Sequence, residues 1–246
     1  MGEMNIISLS NLVSCRTEEL DKIPKTVPLI FSQLNNDLPF LMIKHFLSPS
    51  QCDQIMTDIH YNLKNANELV YSSTDINNSS SYRKVLIVSI NSNYEKLYRS
   101  RWDYFQKNIE SFFDGNYVSS EGFQTLIYTK GCKYKLHSDN CSHYYDQAFK
   151  FLKWVHDHPL RVISTVLFLS DYVDLVTDFN QFSGGKLKFN YLINKVTNQN
   201  LLITPQKGLL IAFPSHPYFA HEVTLLKDGL RGTIVDWHNF SVTNEK

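Results

Sequence analysis

The residues with the clearest chemical potential are two histidines and one aspartate that lie far apart in the chain. His137 and Asp139 occur in the segment KLHSDN, and His221 occurs much later, in FAHEV. Side chains two positions apart in an extended segment point to the same face, so His137 and Asp139 can bind one metal ion from one strand. A third ligand must then come from a distant strand. Two histidines and one carboxylate on one face of an octahedron leave three positions open, and this is the ligand set of non-haem Fe(II) oxygenases.

A basic residue follows the second histidine at a spacing that indicates a binding role. Arg231 comes ten residues after His221, with a predicted turn at residues 227–229. The pattern predicts a hairpin, which brings Arg231 beside the ligand strand and into the barrel interior. A buried guanidinium needs a partner of opposite charge, and a bound dicarboxylate would supply it as a bidentate fork.

The chain from residue 123 onward consists of short apolar runs separated by glycine and proline, a texture typical of an antiparallel barrel or jelly roll. The predicted strands are residues 123–129, 134–138, 162–169, 186–193, 208–213, 219–225 and 232–238. His137 and His221 therefore belong to separate strands of one predicted barrel.

The earlier part of the chain has mainly helical patterns. Residues 37–46 predict a short buried strand, and Ser48-Pro49-Ser50 can cap a helix over residues 51–63. Apolar residues at steps of three to five predict a second helix over residues 93–113. The serine- and asparagine-rich segment 71–82 predicts a mobile surface loop.

Residues 142–158 interrupt the series of predicted strands. Apolar side chains recur there at steps of three and four, namely Tyr145, Phe149, Leu152 and Val155. This spacing predicts an amphipathic helix inserted between two strands. In one interpretation this helix packs on the barrel. In the other it forms a lid over the substrate pocket, because it follows directly after Asp139 in the chain.

Length and composition favour one globular unit of the α+β class. The 246 residues are 43% hydrophobic and 20% charged, which is typical of a single large domain. We expect residues 1–120 to provide an N-terminal strand and supporting helices, and residues 121–240 to form the barrel core.

Charge and cysteine usage limit the partners and the compartment. The 24 basic and 24 acidic residues balance to a net charge of zero, so no global positive field favours nucleic acid or an anionic membrane. The four cysteines show no CxxC pair, which favours a reducing compartment. The amino terminus has no secretory pattern and no apolar run approaches the length of a membrane span, so we expect a cytoplasmic protein.

An ordered set of motifs covers residues 123–238. It reads Tyr128-x2-Gly131-x2-Tyr134-x2-His137-x-Asp139, Arg161-x3-Thr165-x-Leu167-x-Leu169, Gly184-Gly185-x-Leu187, Pro205-x2-Gly208-x4-Phe213 and His221-x-Val223-x5-Gly229-x-Arg231, followed by Trp237. This order resembles the Fe(II)/2-oxoglutarate dioxygenases of the prolyl 4-hydroxylase type. The fold of that family, a double-stranded β-helix or jelly roll, agrees with the pattern of short strands.

The resemblance implies a role for each matching residue. His137, Asp139 and His221 would bind Fe(II), and Arg231 would bind the distal carboxylate of 2-oxoglutarate. Further cosubstrate contacts would be Tyr128, Thr233 and Thr165. Apart from the resemblance, we expect Tyr134, Arg161 and Trp237 to be the substrate contacts; the alternatives are a solvated surface charge for Arg161 and core packing for Trp237. The family often has a tyrosine where this chain has Leu167-Phe168-Leu169, so hydrogen bonds to the distal carboxylate would pass to Tyr128 or Thr233.

The function implied by the resemblance is hydroxylation of an unactivated C–H bond. The reaction would use Fe(II), 2-oxoglutarate and O2, with ascorbate as a supporting reductant, and would release succinate and CO2. The substrate would be a small metabolite, an amino acid or a peptidyl residue such as proline. Related halogenases leave the carboxylate position open for chloride, so Asp139 favours hydroxylation. We expect no nucleic-acid or membrane partner, and the oligomeric state stays open.

Two other functions are compatible with the same residues. The barrel could be a binding or sensing module that holds a metal without turnover, or a zinc hydrolase with two histidines and one aspartate as ligands. Arg231 would have no role in the hydrolase, and it could instead pair with Asp228 or Asp236. Binding of 2-oxoglutarate separates these alternatives from the oxygenase.

Overall fold

The computed structural model describes residues 6–16, 38–65, 83–145 and 151–242. The α-helices in these ranges are α1 (Pro49–Asn65) and α2 (Ser92–Phe113). The strands in chain order are β1 (Ile6–Ser8), β2 (Val13–Cys15), β3 (Leu41–Ile43), β4 (Arg83–Lys84), β5 (Leu86–Val88), β6 (Gly115–Ser120), β7 (Gln124–Tyr128), β8 (Lys133–His137), β9 (Cys141–Tyr145), β10 (Phe151–His156), β11 (Ile163–Phe168), β12 (Asp171–Tyr172), β13 (Gln181–Gly184), β14 (Leu187–Asn194), β15 (Gln199–Ile203), β16 (Leu210–Pro214), β17 (His221–Val223), β18 (Leu226–Gly229) and β19 (Arg231–Val242).

The predicted strands from residue 123 onward and the two predicted helices are present, with ends that differ by a few residues. The strand predicted at residues 37–46 is the shorter β3. The loop predicted at residues 71–82 lies outside the described residues. The chain is therefore rich in sheet, with few helices.

The strands form two main sheets. The larger follows the order β1-β3-β16-β11-β19-β7-β5, with β6 beside β19, and the smaller follows β15-β14-β17-β8-β4, with β2 beside β14. Apolar side chains of both sheets share one core; the rings of Phe189 on β14 and Phe213 on β16 lie 5.0 Å apart. The two sheets therefore face each other, and the chain crosses repeatedly between them.

The two helices pack against the other face of the larger sheet. Helix α1 begins with a reciprocal cap, in which Ser48 Oγ accepts from the Gln51 amide and Gln51 Oε1 accepts from the Ser48 amide. Met56 of α1 and Trp102 of α2 share an apolar cluster with Ile234 of β19. Neither helix in the described ranges combines the length and apolar character that crossing a membrane requires.

The amphipathic helix predicted for residues 142–158 is wrong. This segment forms the antiparallel hairpin of β9 and β10, with His143 opposite Trp154; residues 146–150 lie outside the described part of the chain. Trp154 is buried against Ala220 of the barrel, whereas Tyr144 is 53% exposed. Aromatic and β-branched residues that alternate between a buried and an exposed face favour a strand over a helix.

The hairpin predicted around residues 227–229 is also wrong. Strands β17 and β19 belong to different sheets, and β18 between them pairs with β13. Gly229 has φ of +81°, and a Cβ atom at this position would lie 2.1 Å from the carbonyl oxygen of Gln181. Arg231 therefore reaches the barrel interior from the sheet opposite His221.

We expect Gly229→Ala to destabilise the fold more than Gly131→Ala does. Both glycines have φ of +81°, but a Cβ atom at Gly131 would meet no heavy atom within 4 Å. The left-handed strain alone should lower the free energy of unfolding by about 1 kcal/mol, and the added backbone overlap at Gly229 should raise this loss to about 3 kcal/mol. Urea unfolding of both variants measures the difference, and equal losses would contradict the role given to the Gln181 carbonyl.

His238, beneath α2, should make stability depend on pH. Its ring is fully buried, stacks on Trp102 at 3.8 Å, and bonds Thr165 Oγ1 at 2.9 Å through Nε2, while Nδ1 has no partner. Burial, with a smaller contribution from the charge of Arg99, lowers the pKa of His238 to about 3. Because the unfolded chain binds this proton near pH 6.5, the contribution of His238 to stability is present above that pH and is lost as pH falls toward 3.

His238→Phe preserves the stacking and removes the titration. We expect the pH dependence of the unfolding free energy between about pH 6 and pH 4 to weaken by up to about 1.4 kcal/mol per pH unit. Urea unfolding at several pH values measures both slopes. Parallel slopes for the wild type and the variant would contradict a buried neutral imidazole.

Candidate metal centre and cavity

Three metal-ligand side chains meet at the ends of two neighbouring strands of the smaller sheet. His137 is the last residue of β8 and pairs directly with His221, the first residue of β17. Asp139 lies in the bend that follows β8, not on the strand as the sequence predicted. One ligand atom from each residue lies within 4.8 Å of the other two, and no other group of His, Cys, Asp or Glu in the described ranges does the same.

Both imidazoles are oriented by backbone carbonyls. His137 Nδ1 lies 2.9 Å from the Lys135 carbonyl oxygen, and His221 Nδ1 lies 3.0 Å from that of Phe219. A carbonyl oxygen only accepts, so each Nδ1 carries the proton and each Nε2 keeps its lone pair for a metal.

The electrostatic surroundings keep Asp139 ionised. Burial alone would raise the pKa of its carboxyl, but the neighbouring imidazoles of His221 and His137 and hydrogen bonds from Ser164 and Trp237 lower it below its ordinary value. Its Oδ1 lies 3.8 Å from His137 Nε2. An ionised carboxylate beside two imidazole nitrogens is a donor set that suits a divalent transition metal.

Arg231 lines the same cavity and is only 1% exposed. Burial lowers the pKa of its guanidinium to about 10, although Tyr128 opposes this change, so the group is charged near neutral pH. No acidic side chain in the described ranges pairs with it: Asp236 binds Arg99 at 3.2 Å, and Nε of Arg231 has no hydrogen-bond partner. A buried cation without a counter-ion indicates an anionic ligand.

The predicted cosubstrate contacts Tyr128 and Thr233 lie beside Arg231. The Tyr128 ring centre is 4.8 Å from the guanidinium carbon, and the buried Thr233 hydroxyl has no partner. Phe168 of β11 takes the neighbouring space, with its ring centre 5.5 Å from the same carbon. Because Phe168 has no hydroxyl, the polar groups left to meet a carboxylate here are those of Arg231, Tyr128 and Thr233.

The cavity has a volume of about 570 Å³ and is lined by both the metal-ligand residues and Arg231. Residues Cys141, Ser142 and His143 of the β9–β10 hairpin form part of its wall. Burial lowers the pKa of His143 to about 4 and raises that of Cys141 to about 12, so both are neutral near pH 7. The hairpin wall therefore offers uncharged polar groups.

The three predicted substrate contacts all line the cavity, but each also contacts a ligand residue. Tyr134 stacks on the His137 ring at 3.7 Å. The Trp237 side chain interacts with Asp139 in a way that lowers the pKa of its carboxyl, and Arg161 donates to the Asp139 carbonyl oxygen at 3.2 Å. These three residues therefore lie next to the metal ligands His137 and Asp139.

On β11 the sequence selected Thr165 and missed Ser164. Thr165 lines the cavity and its hydroxyl bonds His238 Nε2 at 2.9 Å, whereas Ser164 helps to lower the pKa of the Asp139 carboxyl. Every residue of β11 is buried, so alternation of polar and apolar residues could not reveal which face each side chain takes. The position of Ser164 opposite Trp237 in the strand register gives the signal, and it requires the sheet order.

Residues 123–239 match the family model described as the 2OG-Fe(II) oxygenase superfamily. No match was found among curated proteins.

Several solved structures are similar to this chain. A prolyl-4-hydroxylase from Pseudomonas putida is 18% identical with a TM-score of 0.53, and the match covers 81% of this chain and 91% of that one. A prolyl hydroxylase from Trichoplax adhaerens, solved with a hypoxia inducible factor peptide fragment, is 18% identical with a TM-score of 0.55, covering 81% and 83%. The viral collagen prolyl hydroxylase of Paramecium Bursaria Chlorella virus-1, solved with 2OG, is 16% identical with a TM-score of 0.52, covering 81% and 94%. These likenesses confirm a double-stranded β-helix fold.

Proposed function

We propose that the chain is a 2-oxoglutarate-dependent oxygenase, because residues 123–239 match that family, and that it hydroxylates an unactivated C–H bond of a peptidyl residue or a small metabolite. One observation carries the proposal: a metal-ligand group and a buried arginine without a counter-ion share one cavity. The Trichoplax enzyme was solved with a peptide, which supports prolyl peptides as the first substrates to test.

The residues present fit the implied groups. His137, Asp139 and His221 would hold Fe(II) through two imidazole nitrogens and one carboxylate oxygen, and Arg231 would hold the distal carboxylate of 2-oxoglutarate with Tyr128 and Thr233. When bound, Fe(II), 2-oxoglutarate and O2 supply an oxidant strong enough for a C–H bond and yield succinate and CO2.

The residues of the protein position the metal ligands and the cosubstrate carboxylate and exclude water from them. Tyr134 and the carbonyl of Lys135 fix the orientation of His137, so the ligand is already arranged before a metal binds. Phe168 covers one side of Arg231, which keeps water from the guanidinium and strengthens its attraction for a carboxylate. The hairpin wall would limit the access of water and of competing reductants to the metal site.

A succinate assay tests this function. Anaerobically purified protein is mixed with Fe(II), 2-oxoglutarate, O2 and ascorbate, with prolyl peptides and free metabolites as substrates. We expect succinate that depends on Fe(II) and on 2-oxoglutarate, and a product one oxygen atom heavier than its substrate. Absence of both metal binding and succinate formation across the substrate panel would contradict the proposal.

The cellular setting is part of the proposal as well. We propose that the protein works in a reducing compartment such as the cytoplasm, because its four cysteines are free and three of them are buried.

A further inference from the structure

Asp139 is held differently from the two histidines of the metal-ligand group. His137 and His221 lie on paired strands, but Asp139 lies in the bend after β8, outside the ladder of strand hydrogen bonds. Its position must therefore be fixed by other contacts. These contacts come from one cluster on the opposite sheet.

Arg161 makes two contacts at this site, one of them to Asp139 itself. Its Nη1 donates to the Asp139 carbonyl oxygen at 3.2 Å, and its guanidinium lies 4.2 Å from the Trp237 ring centre. Trp237 lines the same cavity as Asp139 and Arg161. Arg161 thus holds the backbone of Asp139 directly and is itself held against the Trp237 ring.

Glu121 fixes the guanidinium in this position. Its Oε2 accepts from Arg161 Nε at 2.8 Å and from Nη2 at 2.7 Å. The Glu121 amide also donates to the Trp237 carbonyl oxygen at 3.0 Å, so the acid is tied to the strand that carries Trp237. With its charge neutralised by Glu121, Arg161 has little need of an anionic substrate group.

We propose that Arg161 is a positioning residue for the metal site: held by Glu121 and stacked on Trp237, it fixes Asp139 for metal binding. This inference rests on the proposed function, because it concerns how one of the proposed ligands is held. It replaces the role of substrate contact predicted for Arg161 from the sequence. Groups that orient metal ligands affect metal affinity about 10- to 100-fold.

Arg101 provides a matched control. Its Nε donates to the Phe46 carbonyl oxygen at 2.7 Å, and its guanidinium lies 5.0 Å from the Phe105 ring centre. Arg101 therefore makes the same kinds of contact as Arg161, to backbone carbonyls and to aromatic rings. It does not line the cavity.

The test is titration of the metal-free protein with Co(II), followed by calorimetry and by the visible absorption of the bound ion. We expect Arg161→Met to weaken Co(II) binding about 10- to 100-fold and to change the absorption spectrum. Arg161→Lys should weaken Co(II) binding by a smaller factor. Arg101→Met should bind Co(II) as the wild type does, whatever its melting temperature. Glu121→Gln, at a partly exposed position, should also weaken Co(II) binding. This variant replaces Arg161→Met in the test if Arg161→Met does not fold.

The outcomes separate this inference from the function on which it rests. Wild-type Co(II) affinity in Arg161→Met or Glu121→Gln, with only the KM for the substrate raised, would restore the substrate-contact role and overturn the inference alone. Equal weakening by Arg101→Met would show a general structural effect and would also overturn it. Failure of the wild type to bind Co(II) would overturn the proposed function and the inference together.

Discussion

His221→Ala is expected to abolish specific binding of divalent metal and, with it, succinate formation. His221 supplies one of the three ligand atoms that lie within 4.8 Å of one another, and the two left cannot hold the ion on one face. We expect the affinity for Fe(II) or Co(II) to fall by more than the ~100-fold that loss of an orienting group causes. Calorimetric titration measures the affinity, and circular dichroism establishes that the variant is folded.

His143→Ala is the matched control for that result. His143 is also a histidine of the cavity wall, but it packs on Trp154 at 3.9 Å and is not one of the three ligand residues. Its alanine variant should bind metal with the affinity of the wild type. Equal losses in both variants, or no loss in His221→Ala, would remove the basis for the metal centre.

Arg231→Met should have two effects of opposite sign. Without ligand, the variant no longer buries an unpaired charge, so its free energy of unfolding should rise by about 1 kcal/mol. Binding of 2-oxoglutarate should weaken by about 100-fold or more, since removal of one member of a buried charge pair costs about 3–5 kcal/mol. Thermal melting of the metal-loaded protein with and without 2-oxoglutarate measures both effects.

The wild type and a milder variant complete this experiment. At a 2-oxoglutarate concentration 100 times its dissociation constant, the wild type should gain about 2.7 kcal/mol of stability. Thr233→Val, which removes a buried hydroxyl without a partner, should weaken 2-oxoglutarate binding about 10-fold. A wild type that 2-oxoglutarate does not stabilise would favour the metal-binding module without turnover.

Most of the secondary structure could be predicted because its signals are local. Helices α1 and α2 carry apolar residues at helical spacing, and α1 also carries the Ser48 cap. The strands of the barrel are short apolar runs between glycines and prolines. Each of these patterns is contained within about ten residues of sequence.

The hairpin of β9 and β10 was missed because its sequence fits both periods. The residues at steps of three and four that predict a helix also include the aromatic and β-branched residues of two strands. The packing of Trp154 against Ala220, from a distant part of the chain, decides between them. A local pattern does not contain this contact.

The sequence predicted which residues form the site better than it predicted how these residues are arranged. Residue type and spacing selected His137, Asp139, His221 and Arg231, and the structure places all four around one cavity. The direction from which Arg231 arrives was predicted wrongly, because the pairing of β18 with β13 joins distant segments. Glu121 and Ser164 were missed for the same reason: their importance depends on which strands are neighbours.

The hairpin begins two residues after Asp139 and ends five residues before Arg161, and its base is closed. The Asn140 carbonyl oxygen accepts from the amides of Asp157 and His158 at 3.3 and 3.2 Å. These backbone hydrogen bonds join the chain segments that carry Asp139 and Arg161, and they do not depend on which side chains the hairpin carries. Changes in the residues of this hairpin could therefore alter which substrates the cavity accepts, during evolution or in the laboratory, while the metal site keeps its geometry.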